Sequence, residues 1–297
     1  MKRSTFAVVS LMCACAAAVS RVSAAPDGDA RYASVVGWLE ADPTVQNEAQ
    51  HNITAMGHDA VEPLVAALTR GTPTVRRSAA FALGQLPSEA RTVVPALMRH
   101  LGDDDKEIRI ASAWGLGSLG DKAEPAIDAL DSMLSDAEPG PRMAAARTLG
   151  KIGPAAVRTA PRLIADLGDS ERMVRQWAAW SLGRIEAPAA KAVPALAAAM
   201  EDPVAGVRRS AALSLGLYED DAKSAVPALI KALDDPHDQV RTFSAWALGS
   251  IGPDAKEALP RLQAMKPQAS GMLETILANA IVSISTGNRN AQAKPEG

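Results

Sequence analysis

Two side-chain types that make strong ion pairs return along this chain at a fixed interval. Arg76, Arg109, Arg142, Arg175, Arg208 and Arg241 follow one another by 33 residues, and Asp103, Asp136, Asp169, Asp202 and Asp235 keep the same step. A guanidinium can fork onto a carboxylate through two parallel hydrogen bonds, so ion pairing is the chemistry these residue types offer. A residue present in every unit serves the unit, and both columns read as structural. Other reactive groups are sparse. His51, His58 and His100 show no metal-ligand spacing, and no nucleophile has a histidine and an acid at a meaningful distance in sequence. The turn Asp234-Asp235-Pro236-His237-Asp238 is dense in acid, but only Asp235 is in register, and it reads as a solvated loop. Gly115 to Gly120 matches the dinucleotide fingerprint G-x-G-x-x-G. It closes a helix instead of following a strand, and its later glycines belong to the repeat. Asn52-Ile53-Thr54 is a glycosylation sequon by letter, on a predicted helix. The expectation is no catalytic residue, no metal and no cofactor.

The elements that carry these columns are helices. Gly84, Gly117, Gly150, Gly183, Gly216 and Gly249 repeat on the same 33-residue period, the mark of a solenoid in which one helix pair stacks on the next. In Val174 to Ile185 the apolar residues Val174, Ala178, Leu182 and Ile185 fall on one face of a helix. The glycine lets a neighbouring helix approach closely. The first helix of each unit carries Pro-x-Leu-x-x-x-Leu, as in Pro161-Leu163-Leu167 and Pro227-Leu229-Leu233, with proline where a helix starts or kinks. Pro95 and Pro194 hold the same column; Asp128 replaces it in one unit and Lys266 replaces the last apolar residue in another. The periodic aspartate follows in a tight turn and is expected to N-cap the second helix.

Asp-x5-Arg followed by Ala-Ala-x-Ala-Leu-Gly-x-Ile-Gly resembles HEAT repeats, most closely the short variety named after phycobilisome bilin lyases. Asp169, Arg175, Ala178, Ala179, Leu182 and Gly183 and their equivalents carry the match. The Thr-Pro-Leu-His signature of ankyrin repeats, which share the period, is absent. The resemblance implies an all-α fold, an α-solenoid of stacked helix pairs in a right-handed superhelix, with the Asp and Arg columns as its internal ladder. It implies little about function. Two enzymatic relatives are bilin lyases, which handle a tetrapyrrole, and deoxyhypusine hydroxylases, which hold iron with His-Glu pairs. This chain has no His-Glu dipeptide.

The resemblance also implies that the open side of the second helices lines a concave surface. Arg77, Phe81, Trp114, Arg147, Lys151, Trp177, Trp180, Arg184, Arg209, Phe243 and Trp246 fall there. Six of the ten aromatic residues lie on this row, and it holds no acid. One reading is that the tryptophans shield an alanine-rich core by lying flat between helices. The other is a recognition groove, since Trp, Phe and Arg dominate binding energy at interfaces and a row without acids favours an anionic partner. About seven units at 8–10 Å spacing give a surface roughly 60 Å long, suited to an extended partner.

Composition agrees with an interaction role. Residues 1–24 read as a secretory signal: Lys2 and Arg3, an apolar core from Phe6 to Val19, and Val22-Ser23-Ala24 before the cleavage point. Of 31 Lys and Arg, three fall in that segment and none of the 34 acids does, so cleavage moves the net charge from −3 to −6. That argues against nucleic acid as a partner. Cys13 and Cys15, the two cysteines, leave with the signal. The expected order is signal 1–24, lead-in 25–44, repeats 45–266, a C-terminal capping helix 267–286 and a disordered tail 287–297. No membrane span is expected in the mature chain, and oligomeric state stays open. The function that fits is an exported, non-enzymatic scaffold for a protein or extended peptide; an enzyme subunit of the bilin-lyase or hydroxylase type and a structural envelope component are the alternatives.

Overall fold

The computed structural model describes residues 28–40 and 46–288. The expected signal segment and all of the expected tail but its first two residues lie outside them. The described elements are all helical. They fall into two compact units, residues 1–122 and 123–297, so the predicted repeat array is divided between them.

The first unit holds α1 (Gly28–Leu39), α2 (Gln46–Met56), α3 (His58–Arg70), α4 (Pro73–Leu83), α5 (Ala90–Arg99) and α6 (Lys106–Leu119). In the expected lead-in 25–44 lies α1, which packs on α3, and α4 packs against α3 and α6. Gly57, with φ +53, breaks α2 from α3.

The second unit alternates short first helices with longer second helices. The first helices are α7 (Ile127–Met133), α9 (Ala160–Asp166), α11 (Ala189–Ala199), α13 (Val226–Lys231) and α15 (Leu259–Met265). The second helices are α8 (Pro139–Ile152), α10 (Arg172–Arg184), α12 (Ala205–Leu217), α14 (Asp238–Ile251) and α16 (Gly271–Thr286). Each second helix packs on the next. Pro161, Pro227 and Pro260 sit at the starts of α9, α13 and α15, each preceded by a 3-10 turn, where a missing N–H costs nothing. Pro194 instead lies inside α11.

Val174, Ala178, Leu182 and Ile185 are fully buried, as their spacing required. Burying each Val, Leu or Ile stabilises by about 1.5–3 kcal/mol. The glycine column serves the close approach of second helices. A Cβ on Gly84 would stand 2.6 Å from the backbone of Gly115. On Gly150 and Gly183 it would meet the side chains of Ser181 and Ser214. Those serines use the approach: Ser181 Oγ donates to Ala146 O at 2.7 Å and Ser214 Oγ to Ala179 O at 2.7 Å.

The ion-pair ladder is real and its wiring is regular. Arg142 Nε and Nη2 fork onto Asp169 at 2.8 and 3.0 Å, Arg175 onto Asp202 at 2.7 and 3.1 Å, and Arg208 onto Asp235 at 2.6 and 2.9 Å. In the first unit Arg76 also meets Asp103, but through Nη1 and Nη2, while its Nε donates to Leu68 O at 2.8 Å. The third nitrogen of each arginine ties back into its own repeat. Nη1 of Arg109, Arg142, Arg175, Arg208 and Arg241 donates to the carbonyl six residues earlier, at Asp103, Asp136, Asp169, Asp202 and Asp235. The aspartates do not cap their helices as predicted. The N-cap stands two residues later, at Asp105, Glu138, Glu171, Val204 and His237. Asp103, Asp136, Asp169, Asp202 and Asp235 instead accept the backbone N–H of that residue on Oδ1, which shapes the turn; at Asp169, Asp202 and Asp235 the same oxygen also accepts from arginine Nη2. Burial alone would raise Asp103, Asp169, Asp202 and Asp235, but these hydrogen bonds win and hold all four below the usual carboxylate range.

Within the expected C-terminal segment 267–286, α16 lies in repeat register. Its N-cap, Ser270, lies 33 residues after His237, and Ser283 Oγ donates to Gly249 O at 2.7 Å across the joint. Glu274 and Val282 stand where the period has arginine and glycine, the two types that serve a following helix. Val282 is exposed.

One column sets backbone against side chain. Gly120, Gly153, Glu186, Glu219 and Gly252 close successive second helices, 33 residues apart, and all have positive φ, with Glu186 at +53 and Glu219 at +49. An L side chain there costs about 1–2 kcal/mol, partly offset by the greater freedom glycine has when unfolded. Glu186→Gly and Glu219→Gly should each stabilise the protein by about 0.5–1 kcal/mol, read as a rise in the urea midpoint at unchanged m.

Asp166 is a second local exception. One of its oxygens is buried and finds no partner among the described residues. Burial pushes its carboxyl up to about 6, and Asp169 adds to this against the pull of Arg142 and Arg162. A carboxyl raised in the folded state favours folding while protonated. That contribution is full below 3.8, its ordinary value, and is lost as pH rises through about 6. The depressed ladder aspartates titrate below this window. His58, raised by its hydrogen bond to Glu89, acts in the same direction as Asp166. Cooling-reversible melts should therefore show Tm rising from pH 7.5 to pH 5, and Asp166→Asn should flatten that rise while leaving the His58 part.

Candidate functional site

Gly115, His58, His100 and the acidic turn are each engaged in packing or pairing. Gly115 lies inside α6, where a Cβ would press on Ala80 O at 2.6 Å. His58 Nδ1 meets Glu89 at 2.8 Å, and His100 lies against Arg76 and Asp103 of the ladder. In the acidic turn Asp234 faces Arg261, Asp235 faces Arg208 and Asp238 faces Arg241. Three carboxylates are thus drawn to three different guanidinium groups.

The aromatic row divides by environment. In the first unit Phe81, 36% exposed, packs against the half-buried Trp114 with ring centres 5.7 Å apart, and Arg77 is exposed beside them. Phe243 and Trp246 are only 3% and 4% exposed and offer no surface to a partner. They are corrected here from contact residues to core: α16 packs on α14, and the six-membered ring of Trp246 lies on Gly216, where a Cβ would stand 2.3 Å from it. Trp180 lies on Gly150 in the same way, with a Cβ 2.6 Å from its ring. The tryptophan column therefore does part of the shielding that one reading assigned to it.

A different set remains at the surface of the second unit. Arg147 stacks over Trp177 at 5.2 Å, Trp177 meets Trp180 edge-on at 5.4 Å, and Arg184 stacks over Trp180 at 5.2 Å. Trp177, Trp180 and Arg147 are half-buried; Arg184 and Lys151 are exposed. Arg209 stacks over Phe243 at 5.8 Å and donates to Gln239 Oε1 at 3.2 Å. Each cation–π contact of this kind is worth about 0.5–1 kcal/mol and holds a guanidinium flat, with its edges free for hydrogen bonds. Three of the helices that carry these side chains contain no acid: α8, α10 and α12 supply Arg142, Arg147, Lys151, Arg172, Arg175, Arg184, Arg208 and Arg209 and not one carboxylate. Sequence spacing had grouped the two tryptophans of α10, but not their interleaving with arginines from two helices.

The sequence profile of the family described as HEAT repeats matches residues 61–147, 94–165, 127–216 and 193–271, which together run from 61 to 271. Among solved structures, the Escherichia coli protein YibA is similar at 20% identity, over 90% of this chain and 95% of that one, with a TM-score of 0.65. An engineered protein is similar at 21% identity, over 88% and 80% of the two chains, with a TM-score of 0.59. At these identities the likeness is one of fold. No curated protein matches the chain in sequence. No described helix is long and apolar enough to cross a membrane.

Proposed function

Because the chain belongs to the HEAT-repeat family, we propose that it works as an exported, non-enzymatic scaffold whose second helices hold an acidic, extended segment of a partner protein. The observation that carries this reading is the Arg147–Trp177–Trp180–Arg184 stack on helices without a single carboxylate, in a chain whose net charge is −3. Stacked guanidinium groups are positioned before binding, so less side-chain freedom is lost on meeting a carboxylate. Two adjacent indoles add large, rigid contact area. Export rests on the sequence pattern of residues 1–24.

Trp180 and Trp246 also fill space over glycines, so replacing them would disturb packing. Reversing surface charge is the cleaner test. An Asp/Glu-rich peptide of about 15 residues should quench the fluorescence of Trp177 and Trp180, and its affinity should fall as salt rises. The double variant Arg147→Glu, Arg184→Glu should keep its circular dichroism and lose at least tenfold in affinity, about 1.4 kcal/mol. Equal binding of a neutral peptide of the same length would remove the electrostatic basis of the proposal. For export, the chain recovered from the cell envelope should begin at Ala25; recovery with Met1 intact in the cytosol would overturn it.

A further inference from the structure

We propose a second binding site, independent of the tryptophan row: a cavity between α14, α15 and α16 that takes a carboxylate bearing a small apolar group. The site follows from a break in the ladder. At three successive joints of the second unit, arginine Nε and Nη2 fork onto the aspartate 27 residues later. Counting 27 from Arg241 reaches Gln268. Gln268 stands two residues before the N-cap Ser270, the place that Asp235 holds before His237. The joint itself is intact, since Ser283 reaches Gly249 O across it. Backbone register is kept, and only the carboxylate has been exchanged for an amide.

Arg241 keeps one ladder contact, Nη1 to Asp235 O at 2.7 Å. Its Nη2 faces Asp238, whose side chain is 83% exposed, and its Nε has no partner among the described residues. An ion pair with so exposed a carboxylate is weak and exchangeable. Arg241 lines a cavity of about 410 Å³ together with Arg261, Gln268, Leu233, Met265 and Leu273. Asp234 and Asp235 also border it, but Asp234 faces Arg261 and both oxygens of Asp235 are held by Arg208. One repeat earlier, a cavity of about 450 Å³ contains Arg208, with its fork closed by Asp235. The two cavities differ in whether the next repeat supplies a carboxylate to the fork: Asp235 does so for Arg208, whereas Gln268 stands at that place for Arg241. A carboxylate in the fork of Arg241 would complete the repeating geometry, with Gln268 able to donate to it and Leu233, Met265 and Leu273 beside its apolar group. A short carboxylic acid and the C-terminal residue of a peptide share this chemistry.

Calorimetric titration of the full chain with butyrate, with N-acetyl-Ala-Leu and with the amide of that dipeptide tests the site. Saturable binding of a free acid is expected, with the amide at least tenfold weaker. Butyrate binding as tightly as the dipeptide assigns a small acid; the dipeptide alone assigns a chain end. Q268D places a carboxylate from the chain itself at the fork, so it should raise Tm and weaken the acid probe at least tenfold. R241M should weaken it equally, with circular dichroism confirming the fold. No saturation by about 10 mM of either acid, or undiminished binding in Q268D, would overturn the site.

Discussion

Each of Arg142, Arg175 and Arg208 holds two repeats at once. Its Nη1 fastens the turn of its own repeat, through the carbonyl of Asp136, Asp169 or Asp202, and its Nε and Nη2 fasten the aspartate of the next. Taking these charges out of water is costly, and the net gain over an apolar contact is small. Their value lies in direction. An alanine- and leucine-rich interface can slide, whereas a planar fork accepts a carboxylate in one orientation. Removing one partner would leave a partly buried charge alone, at about 3–5 kcal/mol.

The remaining columns follow from that fixed offset. Once successive second helices are held at one spacing, the residue facing the next helix has no room for a side chain. Glycine fills that position at Gly84, Gly150, Gly183 and Gly216; the backbone of Gly115 presses on the first, and serine or tryptophan from the next repeat presses on the other three. The tryptophan column thus has a packing origin. Its availability to a partner depends on what covers it: α16 covers Trp246, while Trp177 and Trp180 remain partly open between arginines of α8 and α10.

The exceptions to the period are as informative as its members. Glu186 and Glu219 stand where neighbouring repeats use glycine, Asp166 carries a buried oxygen without a partner, and Gln268 stands where the ladder needs an acid. A repeat array makes such departures visible, because every position has several internal controls in the same backbone setting. Glu274 and Val282 illustrate the benign kind. They depart from the two columns that serve a following helix, and they do so in the last described helix.

The sequence alone determined the helical repeat, its 33-residue length and the buried face from Val174 to Ile185. These rest on periodicity, and a helix face is a function of spacing alone. It determined much less about the turn, where Asp169 was expected to cap α10 and instead binds the N–H of the cap residue Glu171. A two-residue displacement of that kind is set by the local path of the backbone. Tertiary structure alone decided which of the aromatic residues are surface. Phe243 and Trp177 occupy the same column, yet one is core and the other half-open, because burial depends on the helices packed alongside. It also brought Arg147 of α8 and Arg184 of α10 onto neighbouring indoles and joined Arg241 to Gln268 across a cavity. Those residues are far apart along the chain or on different helices, and only the stacking of one repeat on the next makes them neighbours.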